Sequence, residues 1–202
     1  MQVQGEKVEF EIIKNTLKHI WLNDIPIVFN KGLLVYERQL QALLFHFLKL
    51  NLIEDKYEIW VEPVIDLSVD GLTNVIPDIV IVHNNLVVAL IEIKFTPWQY
   101  TNIRDINKLI LLQDFSARGL KFPLGHPTTT SKWVRDKVRM VDFNPNYISC
   151  FIVFSKNDKI AFDINHDKLR NFFHLIGYIN DDSNKPIFEE KRYLYLPAGN
   201  SG

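Results

Sequence analysis

The 202-residue chain contains one cysteine, Cys150. A single thiol excludes an intrachain disulfide and a cysteine-built metal site. Cys150 lies inside YISCFIVFS and reads as a small buried strand residue rather than a nucleophile. The six histidines are scattered, and His166 and His174 are not at i, i+3 or i, i+4 spacing, so no histidine metal cluster is expected. No apolar run approaches the length of a membrane span, and the opening MQVQGEKVEFEII lacks the basic-then-apolar layout of a secretory signal. Glycine-rich phosphate loops, internal repeats, heptads and low-complexity tracts are all missing. Together these absences point to a cytoplasmic protein with no membrane partner.

The chain does have apolar mass for a core. Hydrophobic residues make up 47% and charged residues 23%, an ordinary globular balance that excludes disorder as the dominant state. The length fits one domain spanning residues 1–202. The net charge of -1 hides an asymmetry. Residues 94–140 carry nine basic side chains against three acidic ones, a surplus of +6, which leaves -7 on the rest. Charge segregated in this way favours a polyanionic partner, although lysines scattered over solvated helices give the same count.

Apolar positions at Val8, Ile12, Leu17, Ile20 and Trp21 predict a helix over residues 6–22, which NDIPIVFNKG should break at Pro26 and Gly32. A stronger helix follows, with Tyr36, Leu40, Leu43, Leu44, Phe47 and Leu48 on one face. Glu37 lies beside that face near the helix start, where a carboxylate complements the dipole. YEIWVEPVIDL predicts a strand with an edge or bulge at Pro63. After a hairpin at residues 76–95, a helix capped by Thr101 or Asn102 should turn Ile103, Ile106, Leu109, Ile110 and Gln113 inward and end at Gly119. Residues 120–146 read as irregular, with one short helix over 132–141. YISCFIVFS predicts a buried strand. HDKLRNFFHLIGY predicts a helix with Leu169, Phe172, Phe173 and Ile176 inward, and RYLYLP a last edge strand.

The chemistry concentrates in the hairpin, IPDIVIVHNNLVVALIEIKF. Its near-continuous apolar strands imply cover on both faces. Charges in such strands are costly unless paired or bound to a metal, yet Asp78 opens the hairpin and Glu92 and Lys94 close it, so all three meet at one end. Two hard oxygen ligands converging there suit Mg2+ or Mn2+ better than zinc. Glu92 and Lys94 are two apart on a strand and share a face, with Cα atoms roughly 7 Å apart. Lys94 is then placed to position or help deprotonate an attacking water and to offset negative charge. Convergence carries a geometric condition. A regular ladder on a two-residue Asn84-Asn85 turn would pair Val82 with Val87 and Asp78 with Ile91, sending Glu92 to the far face. A three-residue connection or a bulge is required, placing His83 opposite Val87 and Asp78 opposite Glu92. The triplets Glu54/Lys56 and Glu189/Lys191 lie in polar surroundings and read as solvated surface, and a structural Asp/Lys pair at a strand end is the plain alternative.

At Pro77-Asp78 and Glu92-Ile93-Lys94 the chain resembles the PD-(D/E)xK nuclease superfamily. The expected element order, helix, three strands, helix, strand, is similar to that family's core. The resemblance implies an α/β fold with a restriction-endonuclease-like core (αβββαβ) over about residues 34–155, in which a mixed central sheet is flanked by helices. Residues 1–33 would add an N-terminal helical extension, and residues 156–202 a C-terminal helix and edge strand. It further implies that Asp78, Glu92 and the Ile93 carbonyl hold Mg2+ or Mn2+, that Lys94 serves the attacking water, and that Glu37 assists. The helix after the hairpin corresponds to one that often supplies a basic or glutamine residue facing the site. Lys108 is the choice there, with Gln113 second.

The function expected is metal-dependent hydrolysis of phosphodiester bonds in DNA, with Arg104, Lys108, Lys132 and Arg135 gripping the backbone. Trp98, Tyr100 and Trp133 are candidates for base stacking or for core packing. One rival is a catalytically silent nucleic-acid-binding or protein-interaction module. Cleavage of RNA is a third reading, because a charged hairpin says nothing about the sugar. A homodimer is expected only by analogy with small nucleases that cut both strands.

Overall fold

The computed structural model of the chain describes residues 2–53, 56–65, 74–96, 103–116, 121–125, 139–155, 169, 171–180 and 185–191. In chain order the elements are α1 (Gln2–His19), a π-helical turn (Ile20–Asp24), α2 (Ile25–Asn30), α3 (Glu37–Asn51), β1 (Tyr57–Val61), β2 (Val64–Ile65), β3 (Ile79–His83), β4 (Leu86–Thr96), α4 (Ile103–Ser116), β5 (Phe122–Gly125), β6 (Arg139–Ser155), β7 (Phe172–Asn180) and β8 (Lys185–Lys191). This is a mixed α/β architecture. β1, β3 and β4 form an antiparallel meander, β6 joins parallel to β4, β7 parallel to β6, and β8 closes the row antiparallel. β2, β5 and the first residues of β6 form a smaller antiparallel ladder.

Helices cover both faces of the sheet, which is why the central strands are apolar without alternation. On one face Ile13, Leu17, Trp21, Leu40, Leu44 and Leu48 pack on Ile79, Ile81, Ile91, Ile93, Cys150 and Ile152. On the other, Ile106, Leu109, Leu112 and Phe115 of α4 pack on Val80, Val82, Leu90, Phe151 and Val153. Cys150 is fully buried, and burial pushes its thiol far up. No helix among the described residues is long and apolar enough to cross a membrane.

The hairpin meets its geometric condition through a bulge. The turn is the two-residue Asn84-Asn85, with φ of 50° and 65°, the left-handed values that a type I′ connection demands. His83 therefore pairs with Leu86 and Val82 with Val87, and the pairing of His83 with Val87 is not formed. The register then shifts, so that Ile81 faces Ala89 and Ile79 faces Ile91. Val88 is the extra residue. It and Ala89 both pack into the α3-side cluster, breaking the alternation once, so that Leu90 returns to the α4 side. Continued one step past its last pair, Ile79 with Ile91, this register carries Asp78 to the level of Glu92.

Several elements differ from the sequence expectation. Pro26 does not end the first helix, because the chain passes through the π-turn and Pro26 falls in the first turn of α2, where its missing N–H is not needed. Tyr36 is 66% exposed and is the N-cap residue of α3 rather than part of its buried stripe. Residues 122–125 and 139–146 are strand rather than irregular, so no helix covers 139–141. Phe172–Asn180 is a strand, not a helix. Phe173 and Leu175 pack to one side and Ile176 to the other, the period of two imposed by pairing between β6 and β8. The last described strand is Lys185–Lys191. The expected strand RYLYLP, the caps at Thr101, Asn102 and Gly119, and residues 126–138 lie outside the described residues.

Candidate functional site

α3 begins at Glu37, after Tyr36 in extended conformation, and the Gln39 carboxamide reaches back to accept the N–H groups of Val35 and Tyr36 at 2.7 and 3.1 Å. This local bonding points the first turn of α3 at the outgoing end of β4. There Glu37 Oε2 accepts the Phe95 N–H at 3.1 Å, and Glu37 Oε1 lies 3.5 Å from Lys94 Nζ. Glu37, expected at this site from its place at the helix start and from the resemblance, spans with its carboxylate the backbone and side chain of two consecutive β4 residues.

Asp78 is held from both sides. Pro77 is buried and fixes the approach to β3. The Asp78 carbonyl accepts the Glu62 N–H at 2.9 Å and the Gln41 side-chain amide at 3.1 Å. Glu62 reaches it by adopting a φ of 47°, an uncommon left-handed conformation for a non-glycine residue, at the break between β1 and β2 marked by Pro63. The Asp78 carboxylate accepts the Ile93 N–H at 2.6 Å, so the side chain crosses directly onto the Glu92-Ile93-Lys94 segment.

Glu92 is fully buried, and its Oε2 lies 3.3 Å from Lys108 Nζ on α4. Lys108, expected to face the site from this helix and to grip nucleic acid, has its ammonium on the buried carboxylate. Glu37, Asp78, Glu92, Lys94 and Lys108 form one electrostatic group. Burial pushes the Asp78 carboxyl up from 3.8 to about 6 and the Glu37 carboxylate adds to the rise, while the Ile93 N–H, Lys94 and Lys108 pull it down. Counted fully ionised, the group holds three carboxylates and two ammonium groups, a net charge of -1.

The donor set bears on which cation could be held. Among the described residues no group of three or more His, Cys, Asp or Glu side chains is arranged as a metal site. Two carboxylates from facing strands, supplemented by a backbone carbonyl, suit a hard ion that keeps several waters and takes further oxygens from a phosphate. Oxygen donors of this kind are the chemistry of Mg2+ or Mn2+ rather than of zinc.

The side chain of Arg104, and the whole of Lys132, Arg135, Trp98, Tyr100 and Trp133, lie outside the described residues. Arg139, counted in the basic segment, is spent at the opposite end of the hairpin, where it contacts Glu58 and Asn85. Gln113 is half-buried on α4. Gln41 was not foreseen. The signal was a lone amide between Leu40 and Leu44, one turn after Glu37 and therefore on the same side of α3.

No protein-family model, curated protein or solved structure matches this chain.

Proposed function

We propose that this chain is a divalent-metal-dependent nuclease of the PD-(D/E)xK type, hydrolysing phosphodiester bonds in DNA. The observation that carries the reading is the bulge at Val88, which brings Asp78 to the level of Glu92 and beside Lys94 and Glu37. A fully buried Glu92 and a half-buried Asp78 at one end of a hairpin, with Glu37 of α3 beside Lys94, are costly to keep and support a catalytic task. The order α3, β1, β3, β4, α4, β6 also supports a restriction-endonuclease-like core, with β2 and β5 as additions.

In this reading Asp78, Glu92 and the Ile93 carbonyl hold Mg2+ or Mn2+, which when bound polarises the phosphate and makes its water more acidic. Lys94, steadied by Glu37, places its ammonium where the attacking water and a phosphate oxygen meet, and offsets charge that builds there. Gln41 and Glu62 fix the backbone of Asp78, so the carboxylate does not drift from Ile93.

One observation favours a second reading, a silent binding module. Glu37 is ion-paired with Lys94 and Glu92 with Lys108, so the cluster balances much of its own charge. Cleavage assays separate the two. The protein is incubated with plasmid, linear duplex, single-stranded DNA and RNA, with Mg2+, Mn2+ or EDTA, beside Asp78→Ala and Lys94→Ala. The nuclease reading expects metal-dependent cutting of DNA that both substitutions abolish. Binding without cutting under every metal would establish the silent module, and cutting confined to RNA would move the substrate.

A further inference from the structure

We infer that Lys108 is a built-in counter-ion, holding the Glu92 carboxylate in the metal-free protein and yielding it to a divalent cation. The inference rests on the metal-dependent reading above. Glu92 sits between Ile91 and Ile93 on a central strand, all three wholly buried. A carboxylate so placed needs a counter-charge to stay ionised, and a strand paired on both sides cannot move to find one. Lys94 is two residues away but is drawn to Glu37 on α3, at 3.5 Å. From α4, Lys108 reaches the Glu92 carboxylate at 3.3 Å.

The chemistry of that partner makes it replaceable. Its side chain is 28% exposed while that of Glu92 is 1% exposed, so Lys108 lies nearer to solvent than the carboxylate it pairs with. Lysine offers a compact single charge on a flexible stem, whereas arginine would clamp the carboxylate through two parallel bonds. A doubly charged ion outcompetes a single ammonium for the same oxygen once its waters and Asp78 complete the shell. Lys108 then swings its stem outward from α4 and presents the freed ammonium to a phosphate. Cation and phosphate binding would reinforce each other through this one side chain.

The test uses the full chain stripped with EDTA and titrated with Mn2+, followed by calorimetry and by the electron paramagnetic resonance of free Mn2+. Wild type is compared with Lys108→Gln, Lys108→Arg, Asp78→Ala and the exposed-lysine control Lys185→Gln. Wild type should bind Mn2+, Asp78→Ala should lose that binding, and Lys185→Gln should match wild type. Lys108→Gln should bind about tenfold more tightly and gain more in Tm on adding Mn2+. Lys108→Arg should bind several-fold more weakly, and it serves the same purpose if the glutamine variant does not fold without metal. Affinities equal to wild type in the Lys108 variants, with Asp78-dependent binding intact, overturn the counter-ion role and leave the metal reading standing. Absence of Mn2+ binding by wild type overturns both.

Discussion

Both ends of the β3–β4 hairpin carry charge, and they treat it in opposite ways. At the turn, Arg139 of β6 contacts Glu58 of β1 and the Asn85 amide, with side chains 33% and 47% exposed for the ion pair. Water solvates both partners there, and such a pair contributes about 0–1 kcal/mol. At the open end Glu92 is 1% exposed, and the Lys108 ammonium 3.3 Å away takes the place of water beside it. Buried pairs of this kind return little net stability, because desolvation consumes the Coulombic gain. The turn end is a fastening that could be exchanged for others; the open end costs stability, a cost that the proposed catalytic role would account for.

The largest expected effect tests that contrast directly. Lys108→Met should lower stability by about 3 kcal/mol or more at neutral pH in EDTA, by urea unfolding, because it strips the ammonium from a buried carboxylate. Adding Glu92→Leu to that variant should recover most of the loss, since the polar partners then leave together. A cost under about 1 kcal/mol for Lys108→Met would make the open end no different from the turn.

Next in size is a pH effect from Asp78. Its folded value of about 6 stands above the 3.8 of the unfolded chain, so between those values the folded protein holds the proton more tightly. Stability from this group is complete below pH 3.8 and is lost as pH rises through 6. The loss is on the order of 2–3 kcal/mol for the metal-free protein. Asp78→Asn keeps an oxygen for the Ile93 N–H and should flatten the slope in chemical unfolding at pH 4 and pH 7 with EDTA. A slope unchanged in Asp78→Asn would assign it to other carboxylates.

Why the open end could be read from sequence and other regions could not follows from what a linear pattern encodes. Pro77-Asp78 and Glu92-Ile93-Lys94 are charges in otherwise apolar strands, so their oddity shows without any structure. Parity arithmetic on the hairpin then required an extra residue, although Val88 itself looks like any other strand valine. The strand Phe172–Asn180 was mistaken for a helix because Phe-Phe-His-Leu-Ile is apolar on every side. Only its place between β6 and β8 decides the period. Lys108, chosen as the residue of its helix that faces the site, does face it, although helical spacing fixes the direction of a side chain and does not single out Glu92 as its partner.

A smaller effect is expected at Gln41. Gln41→Leu removes one donor from the Asp78 carbonyl, which keeps the Glu62 N–H, so the cost should be about 1 kcal/mol. If cleavage is found, kcat should fall more than KM changes, because the loss touches the aim of Asp78 and not the grip on substrate. A KM effect alone would show that Gln41 acts elsewhere.

The smallest expected effect closes the comparison from the turn end. Arg139→Met should cost less than about 1 kcal/mol, and the difference from wild type should shrink as salt rises from about 0.05 to 0.5 M, because screening reaches an exposed pair. The same salt series on Lys108→Met should barely change its larger cost, since ions do not reach a carboxylate that is 1% exposed. Urea unfolding of both variants at the two salt concentrations gives four numbers, and the comparison predicts salt sensitivity only in the Arg139 pair. If the Lys108 cost screened away as readily, water would already be solvating Glu92, and the distinction between a fastening and a chemical site at the two ends of this hairpin would fail.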